Sequence, residues 1–328
     1  MEKENLKIAL ISLQKDAERV PPVGLIYLAT YLRDIIGINN NNLLILDSNY
    51  SDIENELEKF SPNIIGFTSM TVDYGEGEKT LGELINIYIK KHFFAEKNIQ
   101  KINGLVFFDK DKLKMTPMRE PIKNLDELPL PDFKFVSRNY FRKEEIPSIS
   151  DIGIKCYLIS SRGCPYRCVF CSTSHFWGKM RFYSPDYTAR IVKKFIEDFN
   201  SDYVKVLDDL FTISTQRLRE LKKSFEKYGV MEKIKAIECQ PRANLMNDEL
   251  CIAMKELKIK VLNFGFESGS DKMLKWLKKE SVTVEMNRNA ILLCKKYGFY
   301  AYGSLIYGSP GETIEDMEKT NEFIDFAI

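Results

Sequence analysis

The rest of the chain is arranged around one stretch, Ser160-Ser161-Arg162-Gly163-Cys164-Pro165-Tyr166-Arg167-Cys168-Val169-Phe170-Cys171-Ser172-Thr173, which follows an apolar run typical of a strand end. Its three cysteines are separated by three and then two residues. A loop this short can direct three thiolates at one iron–sulfur cube. Three ligands on a four-iron cluster leave one iron open to bind and activate a substrate. The spacing therefore predicts a catalytic cluster held by Cys164, Cys168 and Cys171.

Two simpler roles for these cysteines fit the sequence less well. A structural zinc site needs a second ligand pair at short spacing, and neither His175 nor Cys239 supplies one. The chain has seven cysteines, an odd number, and no secretory signal, which argues against a disulfide framework. The other four cysteines are not clustered and are predicted to be small buried hydrophobic residues: Cys156, Cys239, Cys251 and Cys294.

The composition is that of a globular protein, and its charge favours neither a nucleic acid nor a membrane surface as a partner. Hydrophobic residues make up 44% of the 328 residues and charged residues 29%, and the net charge is +1. A balance of 48 basic and 47 acidic residues predicts neither a nucleic-acid groove nor attraction to a membrane surface. No apolar run approaches the length of a membrane span, and a strand begins near the N-terminus, which leaves no room for a signal peptide. We therefore expect a cytoplasmic protein.

Residues 1–108 predict a doubly wound parallel α/β sheet. Three short apolar runs read as strands at Lys7–Ser12, Leu43–Asp47 and Ile64–Thr68. Helices are predicted between them at 24–33 and 52–60, and strand–helix–strand alternation of this kind gives a Rossmann-like domain. Residues 109–150 turn polar and contain several prolines, which predicts a linker lying on the surface.

Residues 151–328 alternate strands and helices again. Five strands are predicted, each followed by a helix, and the cysteine loop follows the first of them. This pattern predicts a partial β/α barrel, an arrangement whose chemistry sits at the C-terminal ends of the strands.

The sequence resembles the radical S-adenosylmethionine (SAM) superfamily. The resemblance is carried by the three-cysteine loop with its aromatic Phe170 and by the motifs downstream as far as Thr313. Pro21–Leu32, Gly75–Thr80 and the connector Leu125–Asp132 resemble the class with an N-terminal cobalamin-binding domain. The resemblance implies a 4Fe-4S cluster and SAM as cofactors, with cobalamin as a possible third. A generic Rossmann-like packing domain is the alternative for residues 1–108.

The resemblance also implies a set of cofactor contacts at the strand ends. Phe170 would lie against the adenine, and Asp208 and Asp209 would face the SAM ammonium. The alternative for one of the two carboxylates is a role as a helix cap only. Arg242 and Glu267 match the family's contacts to the SAM ribose and carboxylate. The remaining expected contacts lie in two glycine-containing turns, at Ser268, Gly308 and Pro310. No residue is predicted to act directly on the substrate.

Two parts of the family pattern are missing. Intact relatives carry about 30 to 40 further residues, one helix–strand–helix unit, where Thr68–Tyr74 joins the third strand to the next loop. The family's barrel normally has six strand–helix units, and five are predicted here. The sixth strand would cover the apolar face of the last helix, so that face predicts self-association or a separate C-terminal partner. Neither His92 nor His175 lies in the Asp-x-His-x-x-Gly pattern that supplies an axial ligand to cobalt. We therefore expect weak or absent cobalamin binding.

The predicted function is radical chemistry on an unactivated carbon of an organic substrate, started by reductive cleavage of SAM. Methyl transfer is the expected outcome if cobalamin binds. A reductant such as flavodoxin or ferredoxin is the expected partner. Two alternatives remain, a degenerate or split fragment without independent activity and a methylthiotransferase-like enzyme. The second is weakened because residues 1–155 contain none of the additional cysteines that such enzymes carry.

Overall fold

A computed structural model of the protein describes residues 5–13, 20–68, 77–91, 94, 96–109, 112–146, 151–173, 177 and 179–328. The chain divides into two compact units, Met1–Tyr140 and Phe141–Ile328, called here the N-terminal and C-terminal units. The division falls inside the stretch 109–150 that the sequence predicts to be a linker. No helix in the described ranges combines the length and the apolar character that crossing a bilayer requires.

The N-terminal unit contains the predicted three-stranded parallel sheet. Its strands are β1 (Ile8–Ser12), β2 (Leu43–Asp47) and β3 (Ile64–Thr68), in the spatial order β2-β1-β3. All five residues of β1 are buried, as expected for a central parallel strand covered on both faces. The other elements of this unit are α1 (Val23–Tyr31), α2 (Ile53–Phe60), α3 (Gly77–Lys91), α4 (Glu96–Ile99), β4 (Val106–Asp109) and β5 (Lys112–Met115).

Local sequence signals explain where two of these helices begin and end. The side chain of Asp52 accepts a hydrogen bond from the backbone N–H of Asn55 and so caps the start of α2. Helix α1 continues into a π-helical turn and stops at Gly37, because the φ of +83° there is a left-handed conformation that glycine adopts without a clash.

The proline-rich stretch is less exposed than predicted. Proline prevents regular helices and strands, but it does not prevent the apolar residues between the prolines from packing. Tyr140, for example, is buried and donates a hydrogen bond from its hydroxyl to Asp47 Oδ1 over 2.9 Å. The expectation of a surface linker is therefore wrong for the part that belongs to the N-terminal unit, which buries Ile122, Leu125, Leu128, Phe133, Val136 and Tyr140.

The C-terminal unit contains the predicted run of alternating strands and helices. Its main sheet has five parallel strands in the described residues, and each is followed by a helix. In spatial order these strands are β14 (Tyr300–Leu305), β13 (Ile259–Glu267), β12 (Ala236–Cys239), β11 (Tyr203–Val206) and β8 (Lys155–Leu158). The other elements are β6 (Glu144–Ile146), β7 (Asp151–Gly153), β9 (Ser161–Arg162), β10 (Arg181–Phe182), α5 (Pro185–Phe199), α6 (Thr215–Lys227), α7 (Asp248–Glu256), α8 (Asp271–Lys278), α9 (Val284–Tyr297) and α10 (Ile314–Ala327). The predicted α/β fold class is confirmed.

The last helix is anchored at its start and along one face. Thr313 and Asp316 form the reciprocal cap in which each side chain accepts a hydrogen bond from the other residue's backbone N–H. Phe323 is buried, and its ring meets Phe266 edge to face with the centroids 5.3 Å apart. Part of the apolar face of α10 is therefore covered by the strand end of β13.

The sheet determines where the site lies. Because the five strands are parallel, their carboxyl ends lie along one edge of the sheet. The cysteine loop leaves β8 at this edge, and the predicted site residues Asp208, Arg242, Glu267 and Gly308 follow or end the other four strands.

Candidate metal centre and cofactor site

The cysteine loop begins at a serine pair that is fixed by Asp208. The carboxylate of Asp208 accepts hydrogen bonds from the backbone N–H and the hydroxyl of Ser160, both at 2.6 Å, and from the hydroxyl of Ser161 at 2.7 Å. Asp208 is buried, and this burial raises its carboxyl pKa, while the hydrogen bonds lower it. The expected contact with SAM does not fit this environment. Asp208 instead connects the end of β11 to the start of the loop.

The loop presents three free cysteines. Gly163 precedes them with a φ of +93°, a left-handed turn in which a Cβ would stand 3.1 Å from Trp177 Cβ, so glycine suits this position. Cys168 is 8% exposed, whereas Cys164 and Cys171 are half-buried. The backbone N–H of Cys171 donates to the carbonyl of Cys168 over 3.2 Å, which gives the second half of the loop a tight turn.

No group of three His, Cys, Asp or Glu side chains in the described ranges converges on a single metal ion. The other four cysteines, Cys156, Cys239, Cys251 and Cys294, are buried as predicted, and burial raises the pKa of each thiol.

Asp209 is placed differently from its neighbour Asp208. Its side chain is exposed, and it accepts a hydrogen bond from the Thr173 hydroxyl over 2.9 Å. It also receives a bond from the backbone N–H of Gly163. Asp209 therefore lies beside both ends of the cysteine loop with part of its carboxylate open to solvent.

Arg242 contacts the cysteine loop directly. Its guanidinium lies 3.8 Å from the centroid of the Tyr166 ring, and its Nη1 is 3.4 Å from Cys168 Sγ. Its Nη2 donates to Ser281 Oγ over 2.5 Å. The side chain is 8% exposed, and its Nε is buried with no hydrogen-bond partner among the described residues. Sequence reasoning missed Tyr166 and Ser281, since neither lies near Arg242 along the chain.

Glu267 is held by a lysine that sequence reasoning also missed. Lys278 Nζ lies 3.0 Å from Glu267 Oε1, and the two side chains are only 6% and 7% exposed. The same ammonium donates to the carbonyl of Gly265 over 2.9 Å and lies 5.8 Å from the centroid of the Phe170 ring. Glu267 has a φ of +66°, which is rare outside glycine and is found where the surroundings impose it. This buried ion pair joins the end of β13 to the end of α8, and its lysine also lies by the Phe170 ring of the cysteine loop.

Ser268 lies deeper than its predicted role requires. It is fully buried, and its hydroxyl shares a hydrogen bond with Thr320 of α10 over 3.1 Å. Its oxygen also accepts the backbone N–H of Ser270. The expected cofactor contact does not fit this position, and the structure gives Ser268 the role of joining the end of β13 to the last helix.

The turn after β14 is open. Gly308 has a φ of +78°, and its backbone N–H and that of Ser309 both donate to Glu312 Oε2. Apart from its two chain neighbours, no described residue has an atom within 4 Å of the place where a Cβ on Gly308 would stand, and Pro310 is exposed. This surface is accessible to a ligand at the same sheet edge as the cysteines. The predictions for His92, His175 and the Thr71–Tyr74 gap concern positions outside the described residues.

Comparison with known proteins identifies the family. The model of the radical SAM superfamily matches residues 158–324, which is half of the chain and includes every strand end described above. The chain belongs to the radical SAM superfamily. The predicted membership of this superfamily is therefore confirmed. The cofactors that define these enzymes, a 4Fe-4S cluster and SAM, are confirmed with it.

Two methyltransferases are similar to this chain over 94% and 65% of its length. An uncharacterized methyltransferase of Pyrococcus horikoshii is 28% identical, covering 94% of this chain and 74% of its own length. That alignment extends over 358 positions, more than the 328 residues present here, so the relative carries segments that this chain lacks. Cytidylyl-2-hydroxyethylphosphonate methyltransferase of Streptomyces wedmorensis is 29% identical over 65% of this chain, which spans only 41% of that enzyme.

One solved structure extends the fold match to both units. TsrM of Kitasatospora setae, a radical SAM methyltransferase solved with cobalamin and a [4Fe-4S] cluster, superimposes with a TM-score of 0.76. The match covers 99% of this chain and 70% of TsrM at 16% identity, so it shows a common fold.

Proposed function

We propose that this radical SAM enzyme holds a 4Fe-4S cluster on Cys164, Cys168 and Cys171 and cleaves SAM reductively to start radical chemistry on an unactivated carbon. Methyl transfer is the outcome we propose if cobalamin binds, since methyltransferases recur among its relatives. The observation that carries the proposal is the loop of three free cysteines at the edge of the sheet where the strand ends meet. When bound, the cluster supplies the electron that breaks the sulfonium bond of SAM.

The residues around the loop fit such a cluster. Three free thiols stand on one short loop, and no fourth cysteine belongs to it, which leaves one iron for SAM. Arg242 provides a buried positive charge beside Cys168 that has no carboxylate partner in the described ranges. An anionic cluster would neutralise this charge.

The chain's own residues would bind and orient SAM. Asp209 has an exposed carboxylate beside the loop and suits the amino group of the methionine moiety. Phe170 is 47% exposed and offers a ring face to the adenine. Gly308 and Pro310 form an open turn for the far side of the nucleoside. Glu267 would reach SAM with the part of its carboxylate not held by Lys278.

The test of this function is reductive SAM cleavage. The protein is reconstituted anaerobically with iron and sulfide, reduced with dithionite and incubated with SAM. We expect 5′-deoxyadenosine and methionine, which are separated and quantified by chromatography. A preparation that contains the full cluster and yet leaves SAM intact over many hours would favour the rival proposal, a fragment without independent activity. We also propose that the enzyme acts on an organic substrate and receives its electron from a one-electron donor such as flavodoxin or ferredoxin.

Cobalamin is the candidate methyl carrier, and its binding is a separate question. The fold shared with TsrM spans the N-terminal unit and favours it. The described sheet of that unit has only three strands, however, whereas cobalamin needs a broad crevice at the edge of a complete sheet. We therefore expect little or no retained corrin after incubation with hydroxocobalamin and desalting, measured by corrin absorbance. Stoichiometric retention would contradict this expectation and make cobalamin-dependent methyl transfer the preferred function.

A further inference from the structure

Arg242 has an environment that its predicted contact with SAM does not explain. Three separate groups hold its guanidinium: the Tyr166 ring at 3.8 Å, Ser281 Oγ at 2.5 Å and Cys168 Sγ at 3.4 Å. The ring belongs to the cysteine loop, and Ser281 follows α8. A planar fork held at its face and at both Nη atoms keeps one orientation. The direction of the Nη1–H bond towards the sulfur is therefore built into the fold.

The positive charge of Arg242 is buried beside Cys168 without a carboxylate among the described residues to balance it. The side chain is more than nine-tenths buried, and no carboxylate lies within ion-pair distance of it in the described part of the chain. An isolated buried cation is unfavourable unless an anion compensates it. The sulfur that its Nη1 faces over 3.4 Å belongs to Cys168, one of the three cysteines proposed to hold the cluster. A cluster with thiolate ligands would supply the missing negative charge.

We propose that Arg242 is a positioning residue that raises the reduction potential of the cluster through its hydrogen bond to Cys168 Sγ and its buried charge. The inference rests on the proposed cluster. Reduction transfers one electron from an external one-electron reductant, which is oxidised, to the cluster, and no bond is made or broken. The added negative charge is stabilised by a fixed neighbouring cation, and hydrogen bonds to ligand sulfurs act in the same direction.

The test measures the potential of the reconstituted protein in the absence of SAM, substrate and cobalamin. Wild type, Arg242→Gln and Arg242→Lys are poised with dithionite and redox mediators, and the reduced fraction is read by electron paramagnetic resonance. Arg219→Gln is the matched control, because Arg219 is an exposed arginine that pairs with Glu249 over 3.1 Å.

We expect the ratio of reduced to oxidised cluster in Arg242→Gln to fall at least tenfold at the potential where wild type is half reduced. For a one-electron couple this corresponds to a shift of 59 mV. Arg242→Lys keeps the charge but not the fork, so its ratio should fall about threefold, between wild type and Arg242→Gln. The control should match wild type.

Each other outcome overturns the inference in a recognisable way. Ratios within twofold of wild type in both Arg242 variants, combined with weakened SAM binding, would assign Arg242 to SAM alone. If Arg242→Gln fails to assemble a cluster, the lysine variant decides by itself, and a wild-type ratio there rejects the proposal. A wild-type protein that takes up no cluster would reject the proposed function together with this inference.

Discussion

Cys168→Ala is expected to abolish assembly of the cluster and all SAM cleavage. Two thiolates cannot hold a four-iron cube on three corners, and Cys168 is the most buried of the three proposed ligands. It is also the one whose sulfur contacts Arg242 and whose carbonyl accepts the N–H of Cys171. We expect iron and sulfide to fall from about four each per chain to near zero after anaerobic reconstitution, with 5′-deoxyadenosine formation falling to background.

A cysteine outside the loop provides the control for that experiment. Cys251 is buried in α7, and alanine is a good helix former, so Cys251→Ala should keep wild-type iron, sulfide and SAM cleavage. Full iron and sulfide content in the Cys168→Ala protein would contradict the proposal that this loop holds the cluster. Loss of the cluster in both variants would point to a general effect on folding.

Lys278→Met is expected to destabilise the C-terminal unit by about 3–5 kcal/mol, because it leaves the buried Glu267 carboxylate without its cation. Both tryptophans, Trp177 and Trp276, belong to this unit, so their fluorescence during urea unfolding reports on it. The measurement is made on the cluster-free protein, because a cluster would quench the signal. The unfolding midpoint should move to markedly lower urea.

The double variant Lys278→Met/Glu267→Gln tests the cause. It removes both charges, so most of the stability lost in Lys278→Met should return. Lys319→Met is the matched control, since Lys319 pairs with Glu315 over 2.7 Å on the exposed surface of α10 and should contribute little. Equal stability of Lys278→Met and Lys319→Met would show that the buried pair does not stabilise the unit.

The strands and helices were largely predictable because their signals are local. Apolar runs of four to six residues marked β1, β2 and β3. The burial of the proline-rich stretch was not predictable, for the opposite reason. Prolines reveal that a segment lacks regular structure, but they carry no information about whether Leu125 or Phe133 finds a core to enter.

The sequence by itself was enough to predict an iron–sulfur loop, because the spacing of Cys164, Cys168 and Cys171 is a property of the chain alone. Only the tertiary structure decided which neighbours act with it. Asp208 and Asp209 are adjacent, yet one is buried under the serines that open the loop and the other faces solvent. Likewise several lysines lie in and next to the last turn of α8, and it is Lys278 that forms the ion pair with Glu267 of β13. Such choices depend on contacts between residues distant along the chain, and no local pattern records them.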